Sequence, residues 1–228
     1  MSRLSAALRR RVDPASDAGV SLVELIVVMM ITGIVLAIVG SMFVNVAQVT
    51  ATSNATNTRS SIAANIVNEM SKVIRTSSNN AVDGNDDPDP AVVAATATSL
   101  TVYSYVDTSP TNPMPTKVTF RVDSNGTVFE DRVAASVSGS YYVFTGATTT
   151  RNLGGPIVGT DLFTYLDSGN KAITPDSTGK LSFDQRNTVA SIKVTLTIAN
   201  SSRTGSSDPV RIVNTIGMPN LLLTGTDD

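Results

Sequence analysis

The chain has 228 residues, with 17 Lys and Arg against 19 Asp and Glu and a formal net charge of -2. It has no cysteine, histidine or tryptophan, which excludes a disulfide framework, a thiolate metal site, a cysteine nucleophile and the usual general base. The length suits one anchor and one globular domain with its own core, and the slightly acidic balance offers nucleic acid no obvious attractive field.

The first 19 residues carry Arg3, Arg9, Arg10 and Arg11 against Asp13 and Asp17. Then Gly19, Val20 and Ser21 lead through Leu22 and Val23 to Glu24, and no Asp, Glu, Lys or Arg follows across residues 25–58. A carboxylate held deep in a bilayer costs on the order of 2–4 kcal/mol, so Glu24 needs a partner that cancels its charge. A secretory signal is cut after its apolar core, whereas the candidate cut here precedes the core. A plain anchor needs about 20 apolar residues but no glutamate at its head.

This arrangement resembles the class III signal of type IV pilins and type II secretion pseudopilins. Their pattern is a short basic leader, a Gly, a cut, a hydrophobic residue, and a Glu at the fifth mature position. The resemblance implies that prepilin peptidase, a membrane aspartyl enzyme, cuts between Gly19 and Val20 on the cytoplasmic side. It implies N-methylation of the new Val20 amine, and pairing of the Glu24 carboxylate with the amine of an adjacent subunit. The family most often has Phe where this chain has Val20. The leader arginines lie before the apolar run, so the positive-inside rule puts that end in the cytoplasm and the remainder outside.

Residues 20–78 read as one long helix in two halves. The stretch 25–44 is apolar on all sides and spans about 30 Å, the thickness of the bilayer hydrocarbon. Gly33 and Gly40 interrupt it, and Ser41 stands where the family often has a kink proline. The glycines suit either local melting during assembly or close helix approach. Further on, Ile62, Ile66, Met70, Val73 and Ile74 fall at helical spacing on one face, with Arg59, Asn65, Glu69 and Lys72 expected elsewhere. The helix is expected to end near residues 77–80.

A polar loop follows at residues 83–90. Asp83, Asn85 and Asp87 alternate like the opening of an EF-hand, but Pro88 replaces its turn glycine and Ala94 its bidentate Glu. The reading is therefore a solvated acidic turn, with calcium as the weaker alternative. Strands dominate thereafter. Leu100, Val102 and Val106 alternate with Thr101, Tyr103 and Tyr105, and Val118, Phe120 and Val122 with Lys117, Thr119 and Arg121. Asn125-Gly126 signals a hairpin of the primed-turn kind. Residues 141–145 form a short apolar strand. Ile192, Val194, Leu196 and Ile198 alternate with Lys193, Thr195 and Thr197 in the clearest half-buried strand, and residues 210–218 are its partner across the turn 201–208.

The expected fold class is therefore α+β and pilin-like, a long N-terminal helix packed on an antiparallel β-sheet. Its segments are a leader (1–19), a transmembrane and filament-core half-helix (20–48), an amphipathic half-helix (49–80) and an extracytoplasmic β-rich domain (81–228). Residues 162–170, with Phe163, Tyr165, Asp167 and Gly169, are followed by the 191–197 strand and by residues 213–221. That order is similar to W-type minor pilins and J-type pseudopilins, although Pro219-Asn220 stands where Arg-Asn usually closes the family.

The resemblance implies a structural subunit that assembles into, primes or tips a type IV pilus-like filament. Its implied partners are prepilin peptidase, other pilins and minor pilins, the inner-membrane assembly platform and membrane lipid. The expected location is a single pass in the inner membrane, then an extracellular or periplasmic filament. No cofactor is implied. An adhesin-like binding module, or a competence subunit in DNA uptake, is the alternative, with loops 83–90 and 146–160 as surfaces. Arg151 is the only charge between Arg132 and Asp161, which gives DNA little purchase. Asp161, Asp167, Asp176 and Asp184 are scattered and form no catalytic motif, so no enzyme activity is expected.

Overall fold

A computed structural model of the chain describes residues 19–106, 113–159, 161–199 and 209–221. The leader residues 1–18 and the turn 201–208 lie outside them. The molecule divides into two compact units, Met1–Ala51 and Thr52–Asp228, and helix α1 (Leu22–Arg75) contributes to both.

The first unit consists, in its described part, of α1 residues 22–51 and the short segment before them. Leucine, valine, isoleucine and methionine fill this stretch without a proline, and every described side chain in it is exposed. Gly33 and Gly40 stay helical, and a methyl added at either would meet nothing within 4 Å. Ser41 sends its hydroxyl to the Ile38 carbonyl at 2.8 Å, so that hydroxyl is satisfied inside the helix.

Among the described residues, the second unit holds the rest of α1 and ten strands, all paired antiparallel. Strands β1 (Val92–Ala95), β2 (Ser99–Ser104), β3 (Thr116–Val122), β4 (Val128–Ala134) and β7 (Thr149–Gly154) form one sheet in the order β1-β2-β3-β4-β7. Strands β8 (Phe163–Leu166), β9 (Ser191–Ile198) and β10 (Val210–Gly217) form a second in the order β10-β9-β8. Strands β5 (Ser136–Ser138) and β6 (Tyr141–Val143) make a small hairpin, and a short helix α2 (Phe183–Asn187) precedes β9. The expected single sheet is thus several.

The second part of α1 buries Ala63, Ile66, Val67, Met70, Val73 and Ile74. They share one core with Val102, Val118, Phe120 and Val128 of the first sheet and Ile192, Val194, Leu196, Ile198 and Ile216 of the second. The alternation expected for residues 192–198 holds at every position of β9, because one face must meet the core. Arg59 departs from expectation. It is buried at the head of the stripe, with Nε donating to the Ala55 carbonyl at 3.0 Å, since it follows the same spacing as Ala63, Ile66 and Met70.

The helix also stops sooner than expected, at Arg75. Three hydroxyls converge on its last turn. Ser77 and Ser104 both donate to the Val73 carbonyl, at 3.1 and 2.9 Å, and Thr76 donates to that of Lys72 at 2.9 Å. Ser77 then bridges to Ser104, so sheet pairing takes over the backbone groups that a longer helix would use. The β3–β4 hairpin forms where Asn125-Gly126 predicted it, but not with a two-residue primed turn. Asp123 caps the loop, its Oδ1 accepting from the amides of Asn125 at 2.9 Å and Thr127 at 2.7 Å. Gly126 alone takes a positive φ there, +77°. That is a type I turn closed by a left-handed glycine.

One polar cluster ties α1 to the first sheet. Glu130 of β4 is fully buried and faces Arg151 across the β4–β7 ladder. Its oxygens meet Arg132 at 2.9 Å and Arg151 at 2.8 Å, and the same arginines reach Glu69 of α1 at 2.7 and 2.9 Å. Two carboxylates and two guanidinium groups therefore balance. A buried charge is tolerated only when paired in this way.

Because Glu130 has no solvent to turn to, Glu130→Gln is expected to cost about 3 kcal/mol of unfolding free energy. Glu69→Gln, at the wetter end of the cluster, should cost clearly less; urea titrations of both variants check the order. Tyr165, buried in the core, donates to the carbonyl of Thr96 at 2.8 Å, and Tyr165→Phe should cost about 1 kcal/mol in the same measurement.

Asp131 is part-buried, which pushes its carboxyl up, but Arg121 at 2.6 Å and the Thr150 hydroxyl at 2.6 Å prevail and hold it below its ordinary value. Its stabilising contribution is present above the ordinary Asp range and is lost as pH falls through the lowered folded value. Asp131→Asn should therefore flatten the acid limb of a stability–pH profile.

Candidate functional site

Ser21 precedes the first helical residue, Leu22, and its carbonyl receives the Leu25 amide at 3.1 Å. Serine here, with Glu24 three residues on, has the spacing of a capping box, which marks a helix start. Gly19 and Val20 lie just outside the helix and are exposed. A peptide bond in that state is one that a protease can reach. Glu24 stands in the first turn of α1, at the positive end of the helix dipole, where an acid is favoured. Among the described residues it pairs with no basic side chain. Beyond it runs the one helix, among the described residues, that is long and apolar enough to cross a membrane.

The acidic loop at residues 83–90 is closed at its base, where Asn80 and Asp89 exchange backbone hydrogen bonds at 3.0 and 2.8 Å. Gly84 turns the chain with φ +73°. The Asn85 side-chain oxygen accepts the Asp87 amide at 3.3 Å, so it is engaged within the turn itself. Asp83, Asn85 and Asp87 are all exposed. Among the described residues no group of three or more carboxylates is placed to hold a metal ion.

The second expected surface loop, residues 146–160, contains a strand. Residues 149–154 form β7 at the edge of the first sheet. Arg151, read as a lone surface charge, belongs to the cluster with Glu130 and Glu69. Cross-strand pairing with Glu130 outweighs the local polarity that suggested a loop.

Residues 15–40 match the family model of the prokaryotic N-terminal methylation motif, the class III signal of type IV pilins. No curated protein sequence matches the chain at a significant level. The matched stretch contains Gly19, Val20, Glu24 and the first turns of the exposed apolar helix. The chain thus carries at its head the N-terminal methylation motif found in type IV pilins, followed by a helix long and apolar enough to cross a membrane.

Proposed function

We propose that this protein is a structural minor pilin or pseudopilin that enters, primes or tips a pilus-like filament. Prepilin peptidase cuts between Gly19 and Val20, and the freed Val20 amine is methylated. The body of the protein then lies outside the cytoplasm, held by one membrane pass until assembly. The observation that carries this reading is Glu24, an acid in the first turn of a helix whose next charge is Arg59.

During assembly the apolar part of α1 leaves the bilayer for the company of other such helices, so its surface stays out of water throughout. Glu24 meets the charged amine of Val20 on an adjacent subunit. In low-dielectric surroundings that pair is strong only when both charges are placed together, and its desolvation is costly otherwise. It therefore selects one stagger between neighbouring helices. Partners are other pilins and the inner-membrane assembly platform. The minor-subunit reading draws support from the C-terminal order. Strand β8 ends in a turn around Asp167, with Asn170 at φ 60°, then β9 and β10 follow, and a 3-10 turn at Pro219–Leu221 closes the described chain.

Glu24→Ala is expected to leave membrane insertion and leader removal intact while cutting incorporation into sheared filaments by about tenfold or more, the loss of one buried charge pair. Mass spectrometry of the mature N-terminus, beside immunoblots of membrane and filament fractions, reads both steps. Filaments that incorporate the variant normally, or that contain the uncut chain, would overturn the reading.

A further inference from the structure

Strand β7 is the last of the first sheet, and hydrogen-bond phase fixes which of its backbone groups face out. The Asp123 amide donates to the Thr127 carbonyl and the Ala135 amide to the Pro115 carbonyl, at 3.0 and 3.1 Å. These pairs close the two ends of the β3–β4 ladder. Odd-numbered residues of β4 therefore turn their N–H and C=O toward β3, and even-numbered ones toward β7. Glu130 and Arg132 stand opposite Arg151 and Thr149, which thus face back into the sheet. Thr150 and Asn152 turn their N–H and C=O outward. Both residues are exposed, and these outward groups have no partner among the described residues. The other edge of the sheet is covered. There the Leu181 amide donates to the Ala95 carbonyl at 3.2 Å, and Arg186 donates to the carbonyl of Val92 at 3.2 Å and to that of Val93.

Along that free edge runs a groove of ≈ 460 Å³ between β7 and α1. Asn152 and Leu153 line its strand side, and Asn65 and Asn68 its helix side. The two α1 carboxamides are exposed and make no hydrogen bond among the described residues. Glu69, Lys72 and Arg151 complete the lining, and each already has a partner. The groove therefore reads a ligand through neutral donors and acceptors. On the strand side an N–H and a C=O recur together every second residue, about 6.8 Å apart. An anion would satisfy the N–H groups but set negative charge against the carbonyls. The main chain of an extended polypeptide offers N–H and C=O together at that same repeat, which is how a strand adds to a sheet edge. Each carboxamide brings both donors and an acceptor to further main-chain groups. We propose that this groove binds an extended, uncharged peptide segment of another polypeptide as one more strand beside β7, gripped from the helix side by Asn65 and Asn68.

The test uses the full chain in detergent micelles, with a labelled hexapeptide of alternating threonine and valine as the probe and empty micelles as the blank. Saturable binding by fluorescence anisotropy is expected. On the unaltered protein, the same hexapeptide N-methylated at alternate residues should bind about tenfold more weakly, because it has lost main-chain donors. Maltotriose and tripolyphosphate should not displace the probe. Thr150→Pro removes an outward N–H that β4 does not use, a place where an edge strand tolerates proline. It should weaken binding about tenfold, as should Asn65→Ala combined with Asn68→Ala. Val213→Thr, on the second sheet, should bind as the parent does. Absent saturable binding, equal affinity for the methylated peptide, unchanged affinity in the Thr150 or the asparagine variant, or displacement by maltotriose or tripolyphosphate would each overturn the proposal. These outcomes are independent of filament incorporation, so they stand apart from the Glu24 test.

Discussion

The structure depends on how charge is distributed along α1. One helix serves two solvents, and the boundary is written in its ionisable residues. Between Glu24 and Arg59 there are none, so nothing in that stretch resists an oily environment, and the helix satisfies its own backbone as such an environment demands. From Arg59 onward the same helix is half polar. It lays Ala63, Ile66, Met70, Val73 and Ile74 into a core shared by two sheets. The first stretch is stable as a helix in lipid because it is apolar all round; the second is stable in water because it is covered.

That covering is not purely hydrophobic. Glu69, Glu130, Arg132 and Arg151 bring α1, β4 and β7 together through charge as well as area. The hydrophobic core sets how strongly the helix is held, while the cluster sets where along the sheet it is held. A slide of one residue would leave Glu130 buried without an arginine, which is costly. The same logic, in a different environment, underlies the reading of Glu24: one placed charge turns a non-directional apolar contact into a registered one.

Much of this was legible in the sequence. The β9 alternation, the Asn125-Gly126 hairpin and the stripe on α1 depend on neighbours within a few residues, and periodicity reports them directly. The start of the anchor was equally local, since Gly19, Val20 and Glu24 lie within six consecutive residues. What the sequence hid were relations set by distant pairing. Arg59 looked like a solvent residue because arginine usually is one, and only the packed stripe shows it buried. Arg151 looked like a loop charge until β7 paired with β4 and brought it beside Glu130.

The joint between α1 and the sheet has a practical consequence in a protein without cysteine. Its crosslink is ionic, so closing it needs no oxidant and no thiol-exchange catalyst, and reductants cannot open it. Dissolved ions reach its two ends unequally. The Arg151 side chain is 52% exposed and answers to the medium, while Glu130 at 0% does not. Such a fastener can be set as soon as the polypeptide emerges, in whatever redox milieu it meets, and brine loosens only its outer arm.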